Sequence, residues 1–348
     1  MIFASLLTSA TALAGNEQKR GQAGATELLI NPWARSSGWA GAHTAGVRGI
    51  EAANLNIGGM AHTKGTEIVF ANTQWLKGSD VSINAFGLSQ SVGDNGGVIG
   101  LSVMALDLGD FIQTTENQPD QTIFFQPNFL NIGLSYAKVF SNSIYGGITV
   151  RVISQSIPDA SAQGIAFDGG VQYITSLGDV DEDTKNFRVG VSLRNVGPEM
   201  RFSGDGLSYR GNVLGTQMRD PQALNQRAET FEMPSLLNIG VAYDLDLGID
   251  HRLTVAGNFN SNSFTNDQVQ LGVEYAFMEN FMVRGGFDYQ KNIFDNDTRT
   301  VAHTGPTLGA SIQREFGEDK EKSFGIDYSY RSSNPFDGTH SIGIRLVL

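Results

Sequence analysis

The side chains able to do chemistry are present but do not gather. His43, His62, His251, His303 and His340 are scattered through 348 residues, and no two stand at the spacing of a metal-ligand pair. There is no cysteine, so no thiolate nucleophile, thiolate metal site or disulfide can form. No Gly-x-Ser-x-Gly elbow or phosphate-binding loop occurs. Gly204 and Gly206 are followed by Leu207, Ser208 and Tyr209, which ends any dinucleotide fingerprint. Asp179, Asp181 and Asp183 open like a calcium loop. Thr184 then stands where the turn needs glycine, and Gly190 where the closing glutamate belongs. These residues predict a protein that is not an enzyme and holds neither metal nor cofactor.

A different set of charges is ordered. Arg151, Asp168, Arg188, Arg194, Asp244, Arg252, Glu274, Arg284, Asp288, Asp327 and Arg345 each fall in a segment that alternates bulky apolar with small or polar residues. Each lies on the small or polar face. Six are positive and five negative. Glu274 and Arg284 are equidistant from Glu279, Asp244 and Arg252 from Gly248, and Asp327 and Arg345 from Phe336. Arg151 and Asp168 centre near Pro158 and Asp159. Opposite charges facing each other across a hairpin stabilise it by about 0.2–1 kcal/mol. The spacing therefore predicts four lumen ion pairs: Arg151 with Asp168, Asp244 with Arg252, Glu274 with Arg284, and Asp327 with Arg345.

The elements that must carry these pairs are strands. Alternation holds near 67–76, 80–89, 98–107, 129–140, 144–155, 163–175 and 187–195. It resumes near 236–245, 251–259, 268–277, 281–290, 306–316, 322–330 and 339–348. Connections 141–143, 246–250, 278–280 and 317–321 are short. Connections 108–128, 156–162, 196–235, 260–267, 291–305 and 331–338 are longer. Short turns at one end and long loops at the other are the habit of outer-membrane barrels. Charged residues make up 17% of the chain, against about 25% in ordinary soluble domains. No apolar run reaches the ~20 residues of a spanning helix. The prediction is all-β: a transmembrane antiparallel β-barrel of about fourteen strands over residues 66–348, its bulky face meeting outer-membrane lipid.

The N-terminal part reads differently. Residues 1–14 are uncharged and end in Ala12, Leu13 and Ala14, the pattern of a cleaved signal peptide. Residues 15–65 carry an apolar patch around Trp33 and a glycine- and alanine-rich run, without strand alternation. They are expected to form a plug, packed against the lumen glycines Gly133, Gly190, Gly240, Gly272 and Gly309. Phe124, Phe125, Met218, Phe231 and Met233 place apolar side chains in long outer loops and are expected to meet a partner protein, the alternative being a self-packed lid. The net charge of −12 argues against nucleic acid.

Several runs resemble one family. Residues 34–42 (ARSSGWAGA) look like the ARAxGMGGA run of the PorV/PorQ outer-membrane proteins, and residues 56–61 (NIGGMA) are similar to its NPAGLA. Residues 145–151, 164–173 and 191–198 also match its barrel pattern. The resemblance implies a FadL-like barrel with Arg35 and Asn56 in its plug, serving type IX secretion in the outer membrane of a Bacteroidota-type Gram-negative bacterium. It implies binding of the C-terminal signal domains of secreted cargo, and association with a large translocon barrel or a surface-attachment complex. The alternative is a FadL-like transporter of hydrophobic small molecules.

Overall fold

The computed structural model describes residues 19, 21–114, 123–178, 184–212, 220–317 and 322–348. The expected signal peptide at 1–14, the acidic run 179–183 and Met218 lie outside the described residues.

Among the described residues, fourteen strands close into one antiparallel barrel. They are β1 (Thr66–Trp75), β2 (Val81–Ser91), β3 (Val98–Asp107), β4 (Asn128–Val139), β5 (Ile144–Ile157), β6 (Ala160–Thr175) and β7 (Phe187–Val196). The ring continues through β8 (Leu236–Gly248), β9 (His251–Asn262), β10 (Gln268–Phe277), β11 (Phe281–Gln290), β12 (His303–Phe316), β13 (Lys322–Ser333) and β14 (Thr339–Val347). Each strand pairs with its neighbours in chain order, and β14 returns to β1 through Glu67 opposite Val347. Closure leaves no sheet edge unpaired.

Every strand shows one face to the lumen and one outward. Phe70, Leu134, Ile148, Leu271, Val283 and Leu308 stand exposed on the outer face. Apolar residues exposed on strand after strand form a continuous belt that suits hydrocarbon, not water. Tyr136, Tyr173 and Tyr275 mark one margin of that belt, where amphipathic rings favour the lipid boundary.

The Thr66 amide donates to the Leu348 carbonyl at 3.0 Å, so the barrel begins and ends at one rim. This inner rim carries the shorter turns. The outer rim carries 108–127, 197–235, 263–267 and 291–302, which hold short two-stranded ladders such as Phe111–Ile112 with Phe124–Phe125 and Ser208–Gly211 with Gln222–Asn225. One connection differs from expectation. The 156–162 stretch is no loop: β5 and β6 stay paired to Ile157 and Ala160, leaving a two-residue turn at Pro158 and Asp159. The outer ends of these strands are held by the 197–235 loop, through reciprocal bonds between Ser161 and Ser203 at 2.8 and 2.9 Å.

The N-terminal segment lies inside the barrel as a chain of short helical turns: Thr26–Leu29, Ala34–Ser37, Ile50–Asn54 and Ile57–His62. Its apolar core is Trp33, Ile50, Ile57 and Met60, set against the small wall residues Ala71, Ala85 and Ala137. Burying each such large side chain is worth about 1.5–3 kcal/mol.

Candidate functional site

The lumen face of β7–β11 is layered, and register alone fixes the layers. Nearest the inner rim, Asp244, Thr254, Glu274 and Arg284 stand side by side. The next layer is small: Ala242, Ala256, Gly272 and Gly286. Above it run Gly240, Asn258, Gln270 and Asp288, and then Asn238, Asn260, Gln268 and Gln290. Charge, then bare backbone, then amide is the order from the inner to the outer rim.

The plug rests on the bare layer. A Cβ on Gly286 would lie 2.7 Å from the Trp39 backbone, and one on Gly190 2.7 Å from the Cα of Ala45. Only glycine permits that approach. Asn56 is fully buried; its amide donates to the Thr44 and Val171 carbonyls at 3.1 and 3.0 Å and accepts the Gly58 amide at 3.2 Å. It thus ties the plug to itself and to β6. Trp33 packs under Ile50 against Gly87. Arg35 reaches the Met282 sulfur at 3.3 Å.

The charged wall residues meet as follows. Arg151 and Asp168 lie 2.8 Å apart, and Glu274 and Arg284 2.8 Å apart. Arg345 reaches Asp327 at 3.3 Å. Glu274 stands directly opposite Arg284, whereas Asp168 faces Thr149 and Asp327 faces Gly343, so those two pairs are diagonal. Asp244 and Arg252 also form an ion pair, the longest of the four, and they do not stand directly opposite one another. The turn falls at Ile249–Asp250, which sets Arg252 opposite Asp246. Arg252 therefore turns to Glu279 at 2.6 Å and Glu274 at 3.2 Å, leaving Asp244 at 3.8 Å. Asp244 is held more closely by Arg188.

Sequence reasoning missed what these arginines do next. Arg151 donates to the Ala53 carbonyl at 3.1 Å, Arg284 to Arg35 at 3.4 Å and Arg194 to Leu28 at 3.4 Å. Arg345 binds Glu51 and lies 3.5 Å from Glu67. Four wall guanidiniums thus latch the plug. Glu51 and Glu67 carried no strand-pairing signal, because one belongs to the plug and the other's partner lies 278 positions along the chain in Arg345. Burial, reinforced by the Arg48 charge, pushes the His62 imidazole down to about 3. It stacks on Tyr145 at 4.0 Å.

Above the plug lies a chamber of about 510 Å³. One side is apolar: Trp75, Leu106, Leu108 and Phe129, from β1, β3 and β4. The opposite side is the two amide layers, half a turn of the barrel away. The turn at Thr26–Leu29, with Ala40 and Gly41, closes the bottom. Asn258 bonds Gln270 at 2.8 Å and Asn260 bonds Gln268 at 3.2 Å. Gln290, only 3% exposed, lines the chamber beside them, and the Asn260 side-chain oxygen is buried without a hydrogen-bond partner among the described residues.

The loop residues divide. Phe124 is 55% exposed on its short ladder, with Phe125 beside it half-buried against Phe111. Met233 is 4% exposed and packs with Leu28, Ile153 and Met200. Phe231 stacks near Phe202 and covers Gly24. Met233 is buried and Phe231 half-buried, and both pack on the N-terminal arm, which is the self-packed arrangement. Among the described residues no cluster of metal-ligating side chains occurs.

No known family and no curated protein matches the chain. Solved structures do. The CymD monoaromatic hydrocarbon channel is 14% identical with a TM-score of 0.52, over 91% of this chain and 97% of its own. The Ralstonia pickettii toluene transporter TbuX is 13% identical with a TM-score of 0.53, and the Pseudomonas putida toluene transporter TodX 11% with 0.51, over the same 91% and 97%. These neighbours are channels and transporters, not enzymes. By closure, strand number and overall shape, the chain has the FadL-like barrel fold of these hydrocarbon channels.

Proposed function

We propose that the chain is an outer-membrane channel of a Gram-negative bacterium that takes up small molecules with an apolar body. The chamber loads them from outside, and displacement of the N-terminal plug releases them inward. The observation that carries this is the chamber itself: a half-apolar space of about 510 Å³ above a plug held by discrete latches, inside a closed wall. That volume lies within the about 300–1,000 Å³ of small-molecule sites. The hydrocarbon channels of the same fold support the reading. The test is accumulation of toluene by cells that lack their own hydrocarbon channels, with and without this chain. Uptake of toluene, and of a glycoside with an apolar body such as phenyl β-D-glucopyranoside, no faster than the empty-vector control sinks the channel reading.

A second reading keeps the type IX secretion context, in a Bacteroidota-type outer membrane. It has the chain bind cargo signal domains, a large translocon barrel or a surface-attachment complex through its outer loops. The exposed side chains Ile112, Ile123 and Phe124 favour it, since they form an apolar tip beyond the lipid belt. Co-purification of such partners from gently solubilised membranes, lost on Phe124→Ser, supports it; a protein that purifies alone does not.

A further inference from the structure

The two sides of the chamber ask for different chemistry at once. Trp75 and Phe129 offer flat apolar surface. The amide wall offers donors and acceptors in pairs, one of each on every side chain. A hydrocarbon filling this space covers Gln268 and Gln290 while giving them no partner, which opposes binding. A carboxylate or ammonium does no better. The lining holds two carboxylates, Glu27 and Asp288, and two guanidiniums, Arg194 and Arg331, so an ion of either sign meets a like charge. A hydroxyl group fits. It donates and accepts together, as a carboxamide does, and carries no charge.

We infer that the chamber binds uncharged, hydroxyl-rich molecules with one apolar face: sugars or glycosides whose hydroxyls meet the amide wall and whose flat face lies on Trp75. This rests on the uptake reading and names its substrate class. Asn260 is the sharpest pointer, since its side-chain oxygen is buried, lines the space and is unpartnered among the described residues, and Gln290 is buried in the same row. Gln290 stands in register with Gln268, which in turn faces Asn260, so three amides form one row across three strands. A row of hydroxyls along one edge of a pyranose ring matches such a row.

The probes are phenyl β-D-glucopyranoside, toluene and benzoate. Binding is measured by calorimetry on the purified barrel in an amine-oxide detergent, which carries no sugar. Accumulation by cells is measured for all three. The glucoside is expected to bind at least tenfold more tightly than toluene or benzoate. Gln290→Leu is expected to remove that preference by weakening glucoside binding at least tenfold. Asn260→Leu provides a second reading of the same wall should the first variant fold poorly. Toluene binding as tightly as the glucoside, or a preference for benzoate, overturns the assignment while leaving uptake intact. If none of the three accumulates above the control, the uptake reading itself fails, and the assignment with it.

Discussion

The carboxylate of Asp168 accepts the backbone amide of Asn195 at 2.6 Å while it holds the Arg151 guanidinium at 2.8 Å. Asn195 sits in the left-handed region, where the β6–β7 ladder slips by one residue. The carboxylate thus satisfies a donor that the bulge would leave unpaired. Through Arg151 it also reaches the plug at Ala53. One side chain secures a wall irregularity and a latch.

Asp168→Ala leaves a buried guanidinium and a bulge amide without their acceptor. Breaking one side of a buried pair costs about 3–5 kcal/mol. The variant should unfold at distinctly lower denaturant, followed by the shift from compact to extended mobility on gels. Asp168→Asn, which can still accept from Asn195, should lose less.

Glu274 and Arg284 are direct partners, so reversing both charges should recover part of what either single reversal loses. Recovery will be incomplete, because Glu274 also receives Arg252 and Arg284 also holds the Arg35 carbonyl. A double-reversal variant no more stable than Glu274→Arg or Arg284→Glu alone would show that the pair contributes no coupling.

Arg345→Met should loosen the plug more than the wall. Asp327 and Glu67 remain in strands whose ladders hold them, while Glu51 loses its wall anchor. Single-channel recordings should show larger or more frequent openings than the parent. Conductance equal to that of the parent would remove this arginine from the latch.

Acidification should also loosen the plug. His62 is buried in its neutral form, with its pKa pushed down to about 3, whereas the unfolded segment takes up a proton near pH 6.5. The less structured state binds more protons, so stability falls as pH drops from about 6.5 toward 3. Acrylamide quenching of Trp33 and Trp39, in a Trp75→Phe background, should rise over that window. In His62→Phe the rise should be smaller.

Gly190→Ala should insert and close as a barrel but seat its plug badly. The added methyl would lie 2.6 Å from the Thr44 carbonyl oxygen, a clash with backbone that no rotamer relieves. The measurement is barrel stability beside channel conductance: the first near parent, the second raised.

The barrel was legible because its code is local. Period-two alternation and turn residues mark all fourteen strands, and hairpin symmetry finds Glu274 opposite Arg284 because no bulge intervenes. It sets Asp244 opposite Arg252, where the ladder sets Asp246, because the turn falls at Ile249–Asp250 and not about Gly248. The latches were illegible for another reason. Arg345 to Glu51 joins the last strand to the plug, and only closure brings them together. The amide wall was visible as polar residues at alternate positions, at 258, 260, 268 and 270. Its facing side, Trp75 with Phe129, could be recognised only once half a barrel turn set the two in opposition.

The bare layer under the plug has a mechanical meaning. On β10 and β11 the plug lies against Gly272 and Gly286, and one layer outward on β7 and β8 against Gly190 and Gly240, close enough that a Cβ at any of the four would crowd it. That side of the barrel is a bearing surface. Resistance to sliding over it comes from separable hydrogen bonds and ion pairs, each of which fails on its own. The force needed to draw the plug is then set by how many latches are loaded together, not by the area in contact.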